Sequence, residues 1–154
     1  MRLWLLERIR ETTFTCHHIL LVVSLFEQCP HSKILILGGY ANGLEMGDIY
    51  VLASGASSWK KLKLAMPYVT AYHGTMFLHG ELYVFGGCTN NTYKLNHKKK
   101  WKKMADMNEK RSGITNSCVE FDSSIWVMGG NDIMSPLNSV ERYDSIANKW
   151  SYMP

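Results

Sequence analysis

The groups in this 154-residue sequence that could carry catalysis or hold a metal are six histidines, four cysteines and thirteen carboxylates. Their most suggestive grouping is Cys16-His17-His18 followed by Cys29-Pro30-His31. It offers sulfur and imidazole donors around an apolar run, but its spacing matches no zinc module, in which close ligand pairs recur at set separations. We read these as ordinary residues of a divergent strand pair. The other histidines, His73, His79 and His97, show no metal-ligand spacing. No serine or threonine lies in a GxSxG context, no HExxH or Walker pattern occurs, and the carboxylates are scattered over turn-like positions. The expectation is a protein without catalytic residues, metal or cofactor.

Charge is the second chemical signal, and its position matters more than its sum. Lys and Arg outnumber Asp and Glu by 17 to 13, yet residues 1–59 carry −1, residues 60–103 carry +8 and residues 104–154 carry −3. The basic excess centres on HKKKWKKM, with Lys98, Lys99, Lys100, Lys102 and Lys103, and on Lys60, Lys61 and Lys63 beside Trp59. Such a cluster invites a nucleic-acid reading. Lysines at one place in two successive units instead fit the outermost strand of a sheet, where charge blocks edge-to-edge pairing. No nucleic-acid partner is therefore expected.

Cys16, Cys29, Cys88 and Cys118 form no CxxC pair and no dense framework, which fits a reducing, cytoplasmic setting. Cys88 and Cys118 read as small apolar residues near or within strands. The apolar run 19–26 is too short to span a bilayer, which needs about 20 residues. It is no convincing signal-peptide core either, since Glu7 and Glu11 interrupt the basic flank. With 46% apolar and 19% charged residues, the chain has the composition of one globular domain.

The elements that must position any site come from an internal repeat. KILILGG from Lys33, ELYVFGG from Glu81 and SIWVMGG from Ser124 each end an apolar, strand-like run in a glycine pair: Gly38-Gly39, Gly86-Gly87 and Gly129-Gly130. A tyrosine and then a tryptophan follow each pair, as Tyr50 and Trp59, Tyr93 and Trp101, and Tyr143 and Trp150. From tryptophan to the next glycine pair the distance is 27 and then 28 residues, whereas from the second glycine to the tyrosine it is 11, 6 and 13. A packed element holds its length and a surface connection varies, so the loop after the glycine pair is the variable one.

Each unit reads as four short strands, in the second unit 71–78, 82–85, 92–95 and 101–104. His79-Gly80 and Asp122-Ser123 are tight-turn signals between the first two strands of their units. The glycine pair ends the second strand in a turn and admits a neighbouring backbone. The aromatic rings bury large areas between sheets. Sequence units run over 33–79, 80–121 and 122–154, with 1–32 unassigned.

A glycine pair followed by a spaced tyrosine and a spaced tryptophan resembles the kelch repeat, whose unit is a four-stranded blade of a β-propeller. The third unit, VMGGNDIMSPLNSVERYDSIANKWSYMP, is the closest match and looks like the repeats behind BTB and BACK domains in kelch-like proteins. The first unit departs with DIYVL in place of VERYD, and the second has a very short loop after its glycines. The resemblance implies an all-β fold of about three antiparallel blades. A propeller usually closes with four to eight blades, so three leave an incomplete ring: the expectation is a fragment, a truncated gene product or one part of an oligomeric ring, marginal or self-associating on its own because its end faces are exposed.

The resemblance also implies a non-catalytic protein-interaction module, similar to the substrate-recognition domain of a cullin-RING ubiquitin-ligase adaptor. The alternatives are an actin-associated kelch protein and, more remotely, a kelch-type copper oxidase. Family loops that hold peptides map onto Tyr40, Asn42, Thr89, Asn90, Asn91, Asn131 and Asp132 after the glycine pairs. The starts of the next inner strands add Tyr72, His73, Arg111 and Ser112. Arg111 is the sharpest of these, because a guanidinium fork would favour a partner with an acidic segment.

Overall fold

The computed structural model describes Leu21, Val22 and residues 33–154. Twelve strands are described: β1 (Leu21–Val22), β2 (Lys33–Ala41), β3 (Leu44–Ala53), β4 (Lys60–Lys61), β5 (His73–Leu78), β6 (Glu81–Gly86), β7 (Thr92–Leu95), β8 (Trp101–Lys103), β9 (Cys118–Phe121), β10 (Ser124–Met128), β11 (Val140–Asp144) and β12 (Lys149–Met153). They form three four-stranded antiparallel sheets in simple meander order, β1 to β4, β5 to β8 and β9 to β12. These are the three all-β blades the repeat implies.

Blades and sequence units are out of phase by one strand. The inner strands β5 and β9 lie in the units 33–79 and 80–121, yet each pairs with the strand that opens the next unit. The unit boundaries at 80 and 122 therefore fall inside the hairpins His79-Gly80 and Asp122-Ser123. All four of these turn residues have positive φ, the geometry of a tight hairpin turn. Likewise β1, from the N-terminal segment, supplies the inner strand beside β2.

The expected end of the second strand at the glycine pair holds for β6 and β10, which stop at Gly86 and just before Gly129. It fails in the first blade. There β2 continues through Gly38-Gly39, with a register shift between Leu37 and Gly39, and turns only at Asn42-Gly43, where φ is 51° and 81°. An Asn-Gly pair is the strongest short hairpin signal, and the irregularity at Gly38 lets the ladder resume beyond it. The inner strand of the second blade also starts at His73 rather than residue 71.

Alternation within each strand sends successive side chains to opposite sheet faces, and this builds two apolar seams. Between the first and second blades Leu35, Leu37, Ile49 and Met66 pack with Leu82, Val84, Phe77 and Trp101. Between the second and third, Leu78, Tyr83, Phe85 and Met107 pack with Ile125, Val127, Tyr143 and Trp150. Trp150 is almost wholly buried, its ring 5.6 Å from Phe85 and 5.1 Å from Tyr143. Its indole N–H donates to Thr92 Oγ1 at 3.1 Å, while the Trp101 indole donates to Ala65 O at 2.7 Å, so each ring ties its blade to the one before.

The lysines divide between two places. Lys60, Lys61, Lys102 and Lys103 lie on the outer strands β4 and β8, where edge protection places them, but Lys98–Lys100 occupy the β7–β8 turn. Asn96 Oδ1 organises that turn by accepting the Lys98 and Lys100 backbone N–H groups. Cys118 lies in β9 as expected and burial pushes its thiol up to about 11, whereas Cys88 is exposed in a positive-φ turn rather than packed.

Candidate binding face

The connections β2–β3, β6–β7 and β10–β11 emerge at one end of the blades, beside the segments that lead into the next inner strand. Backbone bridges join these pieces across blades: Thr89 pairs with Arg111, and Ser112 with Asn131. The glycine pair makes the approach possible. Gly86 N–H donates to Asn91 O, and Gly87 N–H donates to Arg111 O at 2.8 Å. Gly87 has a φ of 80°, and a Cβ there would run into Thr70 Oγ1 and stand 2.8 Å from Ala71 O. One residue thus needs both left-handed backbone and an empty side-chain position.

The nominated residues separate into surface and seam. Asn42 and Asn131 are exposed, and Tyr72 is 38% exposed with a φ of 59°. Tyr40, Thr89, Asn90, Asn91, Ser112 and Asp132 are half-buried. Several of these serve their own turns: Asn90 Nδ2 donates to Met107 O, Thr89 Oγ1 accepts the Asn91 N–H, and the Asp132 carboxylate accepts the Met134 and Ser135 N–H groups. Those backbone donors hold the Asp132 carboxyl below its ordinary range.

Arg111 and His73 are not surface residues, which corrects the expectation for both. The Arg111 side chain is fully buried and its donors are already engaged. Nε and Nη2 donate to Glu141 Oε1 at 3.1 Å, Nη1 donates to Gly129 O at 2.7 Å, and Nη2 also reaches Glu109 Oε2 and Ser139 Oγ at 2.7 Å. Glu141, also fully buried, accepts the Asn108 backbone and side-chain N–H groups at its other oxygen. The guanidinium fork therefore ties the approach to the third blade onto that blade, and no acidic peptide can use it. His73 is wholly buried, neither ring nitrogen has a partner among the described residues, and burial lowers its pKa to about 4.

The structure adds apolar side chains that polar-loop reasoning passed over. Met134 is 90% exposed and Ile133 72% exposed in the long connection of the third blade, and Leu44 is exposed beside the Asn42-Gly43 turn of the first. The signal was present as an Ile-Met pair inside NDIMSP, where a turn-forming loop has no folding need for apolar residues. Among the described residues no three His, Cys, Asp or Glu come together as a metal-binding group, and no helix is long and apolar enough to cross a membrane. Cys16, His17, His18, Cys29 and His31 lie outside the described residues.

Repeated four-stranded antiparallel meanders, packed face to face through aromatic seams, define the blade architecture of a β-propeller. The chain carries a kelch repeat: a Kelch motif model matches residues 116–154, the third blade with its approach. It is 30% identical over 130 residues to spermatocyte protein spe-26 of Caenorhabditis elegans, covering 77% of this chain and 23% of that protein. A kelch repeat and BTB domain-containing protein, F47D12.7 of the same organism, is 27% identical over 79% of this chain and 23% of its own length. The chain thus spans about a quarter of the curated relatives it matches. A solved structure titled "Structure of YjhT" superposes with a TM-score of 0.68 at 16% identity, over 79% of this chain and 48% of that one.

Proposed function

We propose that this chain is a non-catalytic protein-interaction module that holds a peptide on its loop face. The observation that carries this reading is the exposed Ile133-Met134 pair beside Asn131 on a face whose backbone is fixed by cross-blade bridges. Apolar tips supply burial and the neighbouring amides and hydroxyls supply orientation, the usual division of labour at a recognition surface. A preorganised backbone loses little ordering free energy on binding. Similarity to a BTB-domain kelch protein supports the finer reading, substrate recognition for a cullin-RING ubiquitin ligase, in a cytoplasmic setting. The partner segment is mixed apolar and polar in character, since the arginine that favoured an acidic one is committed to the fold.

The test is affinity capture with the wild-type chain, followed by titration of the captured partner against three variants. Met134→Asp and Asn131→Ala should each weaken binding, the former by about 2 kcal/mol if Met134 is a central anchor. A triple substitution of Lys98, Lys99 and Lys100 should change mainly the salt dependence. Loss of binding in the lysine variant alone would overturn the loop-face reading and favour a filament-type contact through the outer rim, the actin-associated alternative.

A further inference from the structure

The turns that join the third strand of each blade to its outer strand, β3–β4, β7–β8 and β11–β12, lie at the end of the meanders opposite the loop face. The β7–β8 turn carries Lys98, Lys99 and Lys100, all exposed, and edge protection does not account for them because they precede the outer strand. The turn is built around Asn96, whose backbone N–H donates to Lys100 O at 3.1 Å and whose carbonyl accepts the Lys99 N–H at 2.9 Å. Lys99 is held there at a φ of 57°. Two residues before Trp150, as Lys99 is before Trp101, the third blade has Asn148 at a φ of 50°. Asparagine tolerates that backbone better than lysine does, and Asn148 Oδ1 also accepts the Ala105 N–H and the Tyr143 hydroxyl, at 2.9 and 2.8 Å.

The lysine turn thus works against the fold. Its three consecutive cations repel one another, and none has an ion-pair partner among the described residues, whereas Lys61, Lys94 and Lys103 pair with Asp48, Glu81 and Asp106. Lys60 at the start of β4 and Lys149 at the start of β12 add two more exposed lysines at this end, again with no ion pair among the described residues. Against them stand Asp122 in an inner hairpin and Asp144, whose carboxylate accepts the Ile146 and Ala147 N–H groups at 2.8 and 2.9 Å. That last turn displays Ile146, 95% exposed, at its tip.

We propose that this turn end docks on the anionic surface of a lipid bilayer. Its chemistry favours a membrane over an acidic protein or a nucleic acid. The cations are all lysines, hydrated point charges suited to a diffuse negative surface, with no arginine fork among them for a particular carboxylate or phosphate. They stand on protruding turns with an apolar tip on the equivalent turn of the next blade, so Ile146 enters the boundary between headgroups and acyl chains as the lysines meet the headgroups. The aromatic rings next to the lysines are taken up by the seams: the Trp101 indole donates to Ala65 O and Trp150 is buried, so neither is offered to a base for stacking. The loop face lies at the other end of the blades, so a docked chain keeps it open, and the inference does not rest on what that face binds.

Vesicle flotation of the 154-residue chain tests the proposal, since aggregated protein does not float. The wild type should float with vesicles of equal parts phosphatidylcholine and phosphatidylserine, stay behind with phosphatidylcholine alone, and be released as salt is raised. Lys98→Gln, Lys99→Gln and Lys100→Gln combined should lower partitioning by about a hundredfold, and Ile146→Glu by about tenfold. Circular dichroism confirms a folded chain, and Lys60→Gln with Lys149→Gln, expected to lose more than about tenfold, replaces the triple variant should that one fail to fold. A wild type that floats with neither vesicle, a lysine variant or Ile146→Glu that floats like the wild type, or tighter binding to polyglutamate or duplex DNA than to the mixed vesicles at the same salt would each overturn the proposal, the last because it assigns the lysines to a protein or a nucleic acid.

Discussion

Tyr68 does for the second blade what Arg111 does for the third: its hydroxyl donates to Gly86 O at 2.8 Å, and the guanidinium donates to Gly129 O at 2.7 Å. Gly86 and Gly129 are the first glycines of their pairs, so the two donors hold the same point of successive blades. They are not at equivalent sequence positions. The Gly39 and Gly87 N–H groups donate to Thr70 O and Arg111 O, which makes Thr70 the counterpart of Arg111. Where the second blade lacks an arginine, a tyrosine two residues earlier reaches the same carbonyl, and burial pushes its phenol well up from its ordinary range.

Arg111→Ala should therefore act on stability and not on a partner surface. It leaves the wholly buried Glu141 carboxylate without its cation, a change that costs about 3 to 5 kcal/mol. Replacing both residues by apolar ones of similar volume, Arg111→Met with Glu141→Leu, should recover part of that loss, because no isolated charge remains. Urea midpoints of the two single variants and the double variant give the comparison. Near-wild-type stability for Arg111→Ala would show that the network is dispensable.

Tyr68→Phe removes one donor from Gly86 O and keeps the ring beside Tyr93, whose centroid lies 5.6 Å away. Its cost should be about 1 kcal/mol, since Thr89 Oγ1 still approaches the same carbonyl at 3.5 Å. Chemical denaturation of this single variant checks the figure, and a loss as large as that for Arg111→Ala would mean the ring had also moved.

The tryptophans separate by how completely their seam covers them. Trp150 is 3% exposed, so Trp150→Ala should cost about 3 to 5 kcal/mol. Trp101 is only half-buried, so Trp101→Ala should cost less than Trp150→Ala in the same denaturation series. The reverse order would mean that the seam between the first two blades is the more tightly packed of the two.

The repeat was legible because its signals are backbone necessities: Gly87 cannot carry a Cβ, and Trp101 and Trp150 must each fill a seam. The loop face was less legible. Arg111 looks in sequence like an unpaired cation at a strand start, and its carboxylate partner lies 30 residues away on β11, where only the packing of blades brings it close. His73 was misread for the same reason, since burial at an inner strand is a property of the assembled array. The long β2–β3 hairpin was readable from Asn42-Gly43, but the glycine pair before it gave a competing stop signal.

His73 makes the remaining prediction, a pH dependence whose sign follows from its burial. Its pKa falls from an ordinary value of 6.5 to about 4 because a charged imidazole would lose its hydration in the wholly buried site. The unfolded chain therefore takes up this proton at a higher pH than the folded chain does. Stability from this residue is complete above about pH 6.5 and is lost as the pH falls towards 4, by about 3 kcal/mol in all. Asp132 and Asp144, both held below the ordinary carboxyl range by backbone N–H donors, act in the same direction but at more acidic pH. Comparing wild type with His73→Leu isolates the histidine, because the carboxylates are common to both. Denaturant midpoints taken between pH 7.5 and 4.5 should fall more steeply for the wild type than for the variant. Parallel curves would mean that His73 is charged in the folded protein or is reached by water, and that the site is not the dry one its burial implies.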